Sequence, residues 1–273
     1  MNFDCLQIDI ADHVAHVRLD RPEKHNALNG VVMDSLRNAA SAIAADTDVR
    51  VVVMSGEGRS FCSGLDTANL AAMASGDLEA SSDNVQAAYA DISPAGANKA
   101  QQVGWLWREL DIPVIAAVHG SALGGGLNLA LAADIRVVAA DARMGFVEIT
   151  WGLLPDMSAT QGLRDIVGAD RAKLLVLTGE EFSGADALAW GLATEVATDP
   201  VGRAREIAAQ MAAHNPDAIR AALAVLDQSA DADTASGLAV EAALSAPLIG
   251  SPNQIEAVMA RLEGRSARYE NPT

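Results

Sequence analysis

The sequence predicts an α/β core followed by a helical C-terminal region. Three observations carry this. Val49–Met54, Val114–Val118 and Ile135–Ala139 are continuous runs of β-branched and small apolar residues, the mark of strands buried on both faces. Helical patterns lie between them. From about Met157 onward the pattern turns to helices, with Arg203–Ala213, Pro216–Gln228, Thr234–Ile249 and Pro252–Leu262 all at helical spacing.

The elements follow in order. Leu6, Ile8 and Ile10 alternate with polar residues, and Val14–Leu19 follows Asp12-His13, which predicts an antiparallel hairpin ended by Arg21-Pro22. A helix is expected over Gly30–Ala45 and another over Ala97–Leu110, stopping before Pro113. The stretch Ala74–Pro94 is weakly patterned and rich in Ser, Asp and Ala, which predicts a poorly defined excursion. His119-Gly120-Ser121-Ala122-Leu123-Gly124-Gly125-Gly126 forms a glycine loop opening a helix to about Ala132. Pro216 and Pro252 suit first helical turns. Residues 1–199 are expected to form the core and 200–273 the helical region, with Asp199-Pro200 as the soft linker candidate.

Composition excludes several classes. A chain of 273 residues, 50% hydrophobic and 20% charged, buries a core without covalent staples. Aromatics are only 4%, which leaves little for stacking on bases. The net charge of −17, from 36 acidic and 19 basic residues, argues against nucleic acid and anionic membrane surfaces. An anionic small molecule held by a local basic cluster is still compatible with it. Cys5 and Cys62 make neither a disulfide framework nor a zinc spacing. They read as reduced thiols, the N-terminus lacks signal-peptide features, and a cytoplasmic location is expected. No stretch reaches the roughly 18–20 apolar residues of a membrane span.

Two strand-to-glycine-loop units carry the chemistry. Val51–Met54 leads to Ser60-Phe61-Cys62-Ser63-Gly64-Leu65-Asp66, and Val114–Val118 leads to Gly124-Gly125-Gly126. Each places small residues past the carboxyl end of a buried strand, where backbone can approach a ligand. Two backbone donors from separate loops are the ingredients of an oxyanion hole, although such loops also serve as plain tight turns. No Gly-Lys-Ser/Thr follows, so this is no P-loop, and the dinucleotide spacing is absent. Cys62 has no His neighbour, and Ser63 lacks the Gly-x-Ser-x-Gly context, so neither reads as a nucleophile. His119 reads as a turn or core histidine, and His25 as a loop residue.

The combination resembles the crotonase superfamily, the enoyl-CoA hydratase/isomerase family, over nearly the whole chain. The matching stretches are Arg21-Pro22-Glu23-Lys24-His25-Asn26-Ala27-Leu28, Ser60–Asp66 and Ala117–Gly126 with Ala132-Ala133-Asp134-Ile135-Arg136. Thr178-Gly179-Glu180-Glu181-Phe182-Ser183 with Gly191-Leu192 completes the series. The resemblance implies a spiral of ββα units with a C-terminal helical trimerisation region, a homotrimer or dimer of trimers. It also implies an acyl-CoA thioester substrate, with coenzyme A as part of that substrate and no metal or redox cofactor. The thioester oxygen would accept from the N–H groups of Leu65 and Gly125. Lys24, Ala27, Ser60, Ser63, Gly64, Asp66 and Gly124 would contact substrate, with Lys24 beside the phosphates.

The acid–base residues decide the reaction. Glu148 matches one of the two glutamates of the family's hydratases, but Asn128 stands where the other is found, and an amide takes no proton at neutral pH. Asp156 matches an acidic position of the family's dienoyl-CoA isomerases; alternatively it is a helix N-cap. Two carboxylates in an apolar pocket would split into a base and an acid, with Trp151, Leu153, Leu154 and Met157 as neighbours. Enoyl-CoA hydration in fatty acid metabolism is the first expectation. Enoyl- or dienoyl-CoA isomerisation, with or without Asp156, and a non-catalytic acyl-CoA binding role stay open. Arg261, Arg265 and Arg268 read either as helix C-terminal charges or as contacts to a phosphate.

Overall fold

The computed structural model describes residues 2–75, 92–230 and 232–272. Among the described residues, ten strands fall in two sheets. A seven-stranded sheet has the order β1-β2-β3-β4-β5-β7-β10, and a three-stranded sheet the order β6-β8-β9. The hairpin is β2 (Leu6–Ala11) against β3 (Val14–Leu19), with Leu6 opposite Leu19 and Ala11 opposite Val14. Its turn residues Asp12 and His13 have φ of 49° and 66°, the left-handed pair that a tight two-residue hairpin demands. β1 (Asn2–Phe3) adds an antiparallel edge. β4 (Val51–Gly56), β5 (Val114–Val118), β7 (Ile135–Val138) and β10 (Glu195–Val196) then join in parallel.

The expected buried strands are present, and pleating explains why their apolar runs are unbroken. Val52, Met54, Ala116 and Val118 enter the main core, while Val51, Val53, Ile115 and Ala117 point to the other face. The main core also takes one side of α1 (Gly30–Ala44), through Val32, Leu36, Ala39, Ala40 and Ile43. Asn29 caps that helix, its side chain accepting from the Val32 N–H at 3.0 Å. The second face is covered by α8 (Pro200–Ala212), whose Ala204, Ala208 and Ala212 form a small-residue stripe. The Asp199-Pro200 junction, expected as a linker, is instead an ordered helix start. Asp199 accepts from Gly202 N–H at 3.0 Å, and Pro200 is buried.

Between strands the chain repeats a motif: one strand in the large sheet, a corner, one in the small sheet, then a helix. β5, β6 (Ser121–Leu123) and α4 (Gly125–Leu131) make one unit. β7 and β8 (Arg143–Gly145) begin the next, followed by a 3-10 turn (Val147–Trp151) and helices α5 (Thr160–Val167) and α6 (Ala169–Thr178). β9 (Phe182–Ser183) and α7 (Gly184–Ala189) complete the layer. This is the expected crotonase-type α/β architecture. α2 (Thr67–Ser75) was not foreseen, and α3 (Lys99–Arg108) falls where a helix was expected. Most of the weakly patterned stretch, residues 76–91, lies outside the described residues. The C-terminal helices α9 (Pro216–Ser229), α10 (Thr234–Ser245) and α11 (Pro252–Glu263) are also as expected, with Pro216 and Pro252 in their first turns.

Candidate active site

The two glycine loops are joined to each other and to the early loop by isolated bridges. Cys62 pairs with Ala122, and Leu28 with Leu65, both in parallel sense. In the first, Cys62 N–H donates to Ser121 O and Leu123 N–H to Cys62 O, at 2.9 and 3.1 Å. In the second, Leu28 N–H donates to Gly64 O and Asp66 N–H to Leu28 O, at 2.7 and 2.9 Å. A parallel bridge uses the groups flanking Leu65 and turns the Leu65 N–H to the other side. That N–H has no backbone acceptor among the described residues. Gly125 opens α4, so its N–H is likewise free of an intrahelical partner.

The loops meet so closely that side chains are excluded at two points. A Cβ on Gly64, at φ +89°, would lie 2.6 Å from Leu123 O, and one on Gly126 would lie 2.2 Å from Cys62 O. A cavity of about 340 Å³ opens over the two donors. It is lined by Ser63, Gly64, Leu65, Gly124, Gly125 and Glu148 among the expected residues. Thr67, Leu70, Leu123, Val147, Thr150, Trp151, Leu153, Gly179 and Glu181 complete the wall.

Glu148 sits on the 3-10 turn, held from behind where a Cβ on Gly179 would meet Ile149 and Thr150. Asn128, buried on α4, donates from Nδ2 to Gly124 O and to Glu148 Oε1, both at 2.8 Å. Two acceptors in this pair are buried without a protein partner, Asn128 Oδ1 and Glu148 Oε2. Burial raises the Glu148 pKa above its ordinary value. The Asn128 amide acts the other way, and the charge of Asp156 adds a smaller upward push.

Asp156 is not a helix N-cap: α5 starts at Thr160 after Ala159, with no side-chain cap. Asp156 stays solvent-accessible and does not line the cavity, while the protein packed around its carboxyl raises its pKa. Its influence on Glu148 is electrostatic.

Other expected contact residues build the loops rather than the cavity wall. Ser60 is buried, with its hydroxyl at 3.0 Å from His25 Nδ1. Ala27 is buried and its carbonyl accepts from Arg21 Nη1 at 2.7 Å. The Asp66 carboxylate caps α2, accepting from Ala68 N–H at 3.0 Å, and pairs with Arg21 at 3.1 Å. These bonds hold its pKa below the usual range, the cap first. Lys24 is exposed, and its carbonyl accepts from the Ser63 hydroxyl at 3.5 Å, which places it beside the Ser63 end of the cavity. Cys62 is buried and its thiol pushed up to about 12 by burial, so it is no nucleophile. His119 meets Gly58 O at 3.1 Å, as a turn residue would. Arg265 is taken up by Glu256 and Glu263, as a helix-end charge would be. Among the described residues no cluster of His, Cys, Asp and Glu could hold a metal ion, and no helix is long and apolar enough to cross a membrane.

Sequence reasoning missed Thr67, Leu70, Thr150 and Glu181 as wall residues. The stretch Thr178–Ser183 carried a recognisable pattern, and only its place behind the Glu148 turn shows what it does.

Residues 9–272 match the family model described as enoyl-CoA hydratase/isomerase. The chain is 35% identical over 257 residues to 2,3-dehydroadipyl-CoA hydratase of Escherichia coli, covering 92% of this chain and 93% of that protein. It is 34% identical over 263 residues to bovine enoyl-CoA hydratase domain-containing protein 2, mitochondrial, covering 94% and 84%. The crystal structure of enoyl-CoA hydratase from Bacillus anthracis superposes with a TM-score of 0.87 at 30% identity, covering 98% of this chain and 100% of that one.

Proposed function

Because the chain belongs to the enoyl-CoA hydratase/isomerase family, and is an enzyme of it, we propose that it hydrates 2-enoyl-CoA thioesters with Glu148 as the single proton-transferring carboxylate. The observation that carries this is that Glu148, whose Oε2 has no protein partner, lines the same cavity as the two residues with free N–H donors, Leu65 and Gly125.

The thioester oxygen accepts from Leu65 and Gly125 N–H. Both donors are fixed before reaction, so they stabilise the oxyanion as it forms; losing one such donor costs about 2.7–4 kcal/mol. A water in the cavity donates a hydrogen to the Glu148 carboxylate. Oε2 takes a proton as the water oxygen bonds to the β-carbon and electron density moves to the thioester oxygen. The enolate then collapses, and the α-carbon takes the proton back from Glu148. The balance is one water added across the double bond, and one carboxyl suffices because it ends as it began. Asn128 is a positioning residue: its amide holds Oε1 and leaves Oε2 for the reaction.

Lys24, at the Ser63 end, supports placing the phosphates of coenzyme A there. The family resemblance and the exposed Leu238, Ile249 and Leu262 of the C-terminal region support a homotrimer or a pair of trimers. The electrostatic influence of Asp156 on Glu148 favours a second reading, double-bond isomerisation. Incubation with crotonyl-CoA in isotopically labelled water separates the two. Loss of conjugated absorbance with label in the product supports hydration. An unchanged crotonyl-CoA, with a 3-enoyl-CoA shifted into conjugation instead, overturns it.

A further inference from the structure

Resting on the thioester reading above, we propose that the acyl end of the cavity accepts an uncharged tail and turns away acyl groups that end in a carboxylate. The cavity has two ends. The Lys24 loop meets Ser63 at one; from there Gly64 packs on Leu123 and Gly125, Gly124 on Glu148, and Gly179 on Ile149 and Thr150 at the other, where Glu181 packs on Gly145. The phosphates of coenzyme A cannot sit at the end that carries carboxylates, so that end receives the acyl tail.

Its charged lining side chains, among the described residues, are Glu148 and Glu181, both acidic. Glu181 has a cationic partner outside the cavity. Arg143 donates from Nε and Nη2 to the two carboxylate oxygens of Glu181, at 2.9 and 3.0 Å. Arg143 does not line the cavity, and Glu181 does. A tail carboxylate would therefore meet Glu181, with Glu148 as the other charged lining group. The Escherichia coli relative is named for a substrate with a terminal carboxylate; this wall predicts a different choice.

Direct binding tests this without turnover. The saturated thioester adipyl-CoA and its monomethyl ester differ in tail charge, and each is titrated calorimetrically into wild type and Glu181→Gln. The Arg143–Glu181 pair is part-exposed, with side-chain exposures of 64% and 38%, so the variant is expected to fold. Wild type should bind the methyl ester at least about 100-fold more tightly, since like charges in contact are strongly disfavoured. Glu181→Gln, which frees Arg143, should narrow that gap by at least about tenfold. Equal binding by wild type, or a gap unchanged in the variant, overturns the inference. Failure of the hydration reading would show separately, as absence of turnover with any 2-enoyl thioester.

Discussion

One carboxylate can take a proton from water and return it to carbon only if its charged and neutral forms lie close in free energy. Glu148 is set for this by opposed influences, burial raising its pKa and the Asn128 amide lowering it. In the proposed hydration the base form is the active one, so activity falls as pH drops through the Glu148 pKa. The acidic limb of kcat/KM is therefore expected above the ordinary glutamate value of 4.5. Asn128→Ala removes a donor that favours the charged form and should move the limb to still higher pH; a limb that stays put would count against the pairing. Glu148, Leu65 and Gly125 were legible in the sequence because glycines and a matching motif flank them. Glu181 was not, because its motif does not show that a side chain from that distant segment reaches the cavity, and Leu70 was not, because the short helix α2 that carries it was not expected. The contact between Asn128 and Glu148 was equally hidden: sequence showed a missing acid, and only the fold shows the amide at 2.8 Å from the remaining one.

At the scale of elements, the site is the seam between two loops. Gly64 has φ +89° and no room for a Cβ beside Leu123 O. Gly64→Ala should cost about 1–3 kcal/mol of stability from backbone strain. By shifting the Leu65 N–H it should also lower kcat/KM about 100-fold. Gly30→Ala is the control, since no atom lies within 4 Å of the added Cβ. Thermal melts and steady-state kinetics on the two variants read both effects; a fully active Gly64→Ala would contradict the seam. The long elements were readable, since β3, β4 and β5 carry enough residues to show period or continuous burial. The two- and three-residue strands β6, β8, β9 and β10 show no period at all. Their existence depends on partners supplied by the tertiary fold.

Across the whole molecule, the sheet is closed on its second face by α8, and a part-buried polar contact to the buried His16 fixes that helix. Arg205 donates to His16 Nδ1 at 2.7 Å, which leaves His16 Nε2–H to donate to Ser55 Oγ at 2.8 Å. Burial first, then the Arg205 charge, lower the His16 pKa from 6.5 to about 4. The unfolded chain therefore binds a proton that the folded chain refuses. The His16 contribution is full above pH 6.5 and is lost as pH falls toward 4, up to about 3 kcal/mol in all. Urea unfolding from pH 7 to 4 should show that slope, and His16→Gln should flatten it; equal slopes would contradict the contact. Sequence alone placed a linker where α8 begins, because Asp-Pro marks both loops and helix starts. The stripe of Ala204, Ala208 and Ala212 becomes informative only once it lies on the sheet.

The central claim is that Glu148 alone moves the proton in water addition. The most direct measurement is the rate of crotonyl-CoA hydration by wild type and Glu148→Gln, followed by loss of conjugated absorbance. The account predicts steady hydration by wild type and a fall of about 100- to 10,000-fold in the variant, with adipyl-CoA methyl ester still bound. A Glu148→Gln enzyme that hydrates crotonyl-CoA as fast as wild type would contradict it.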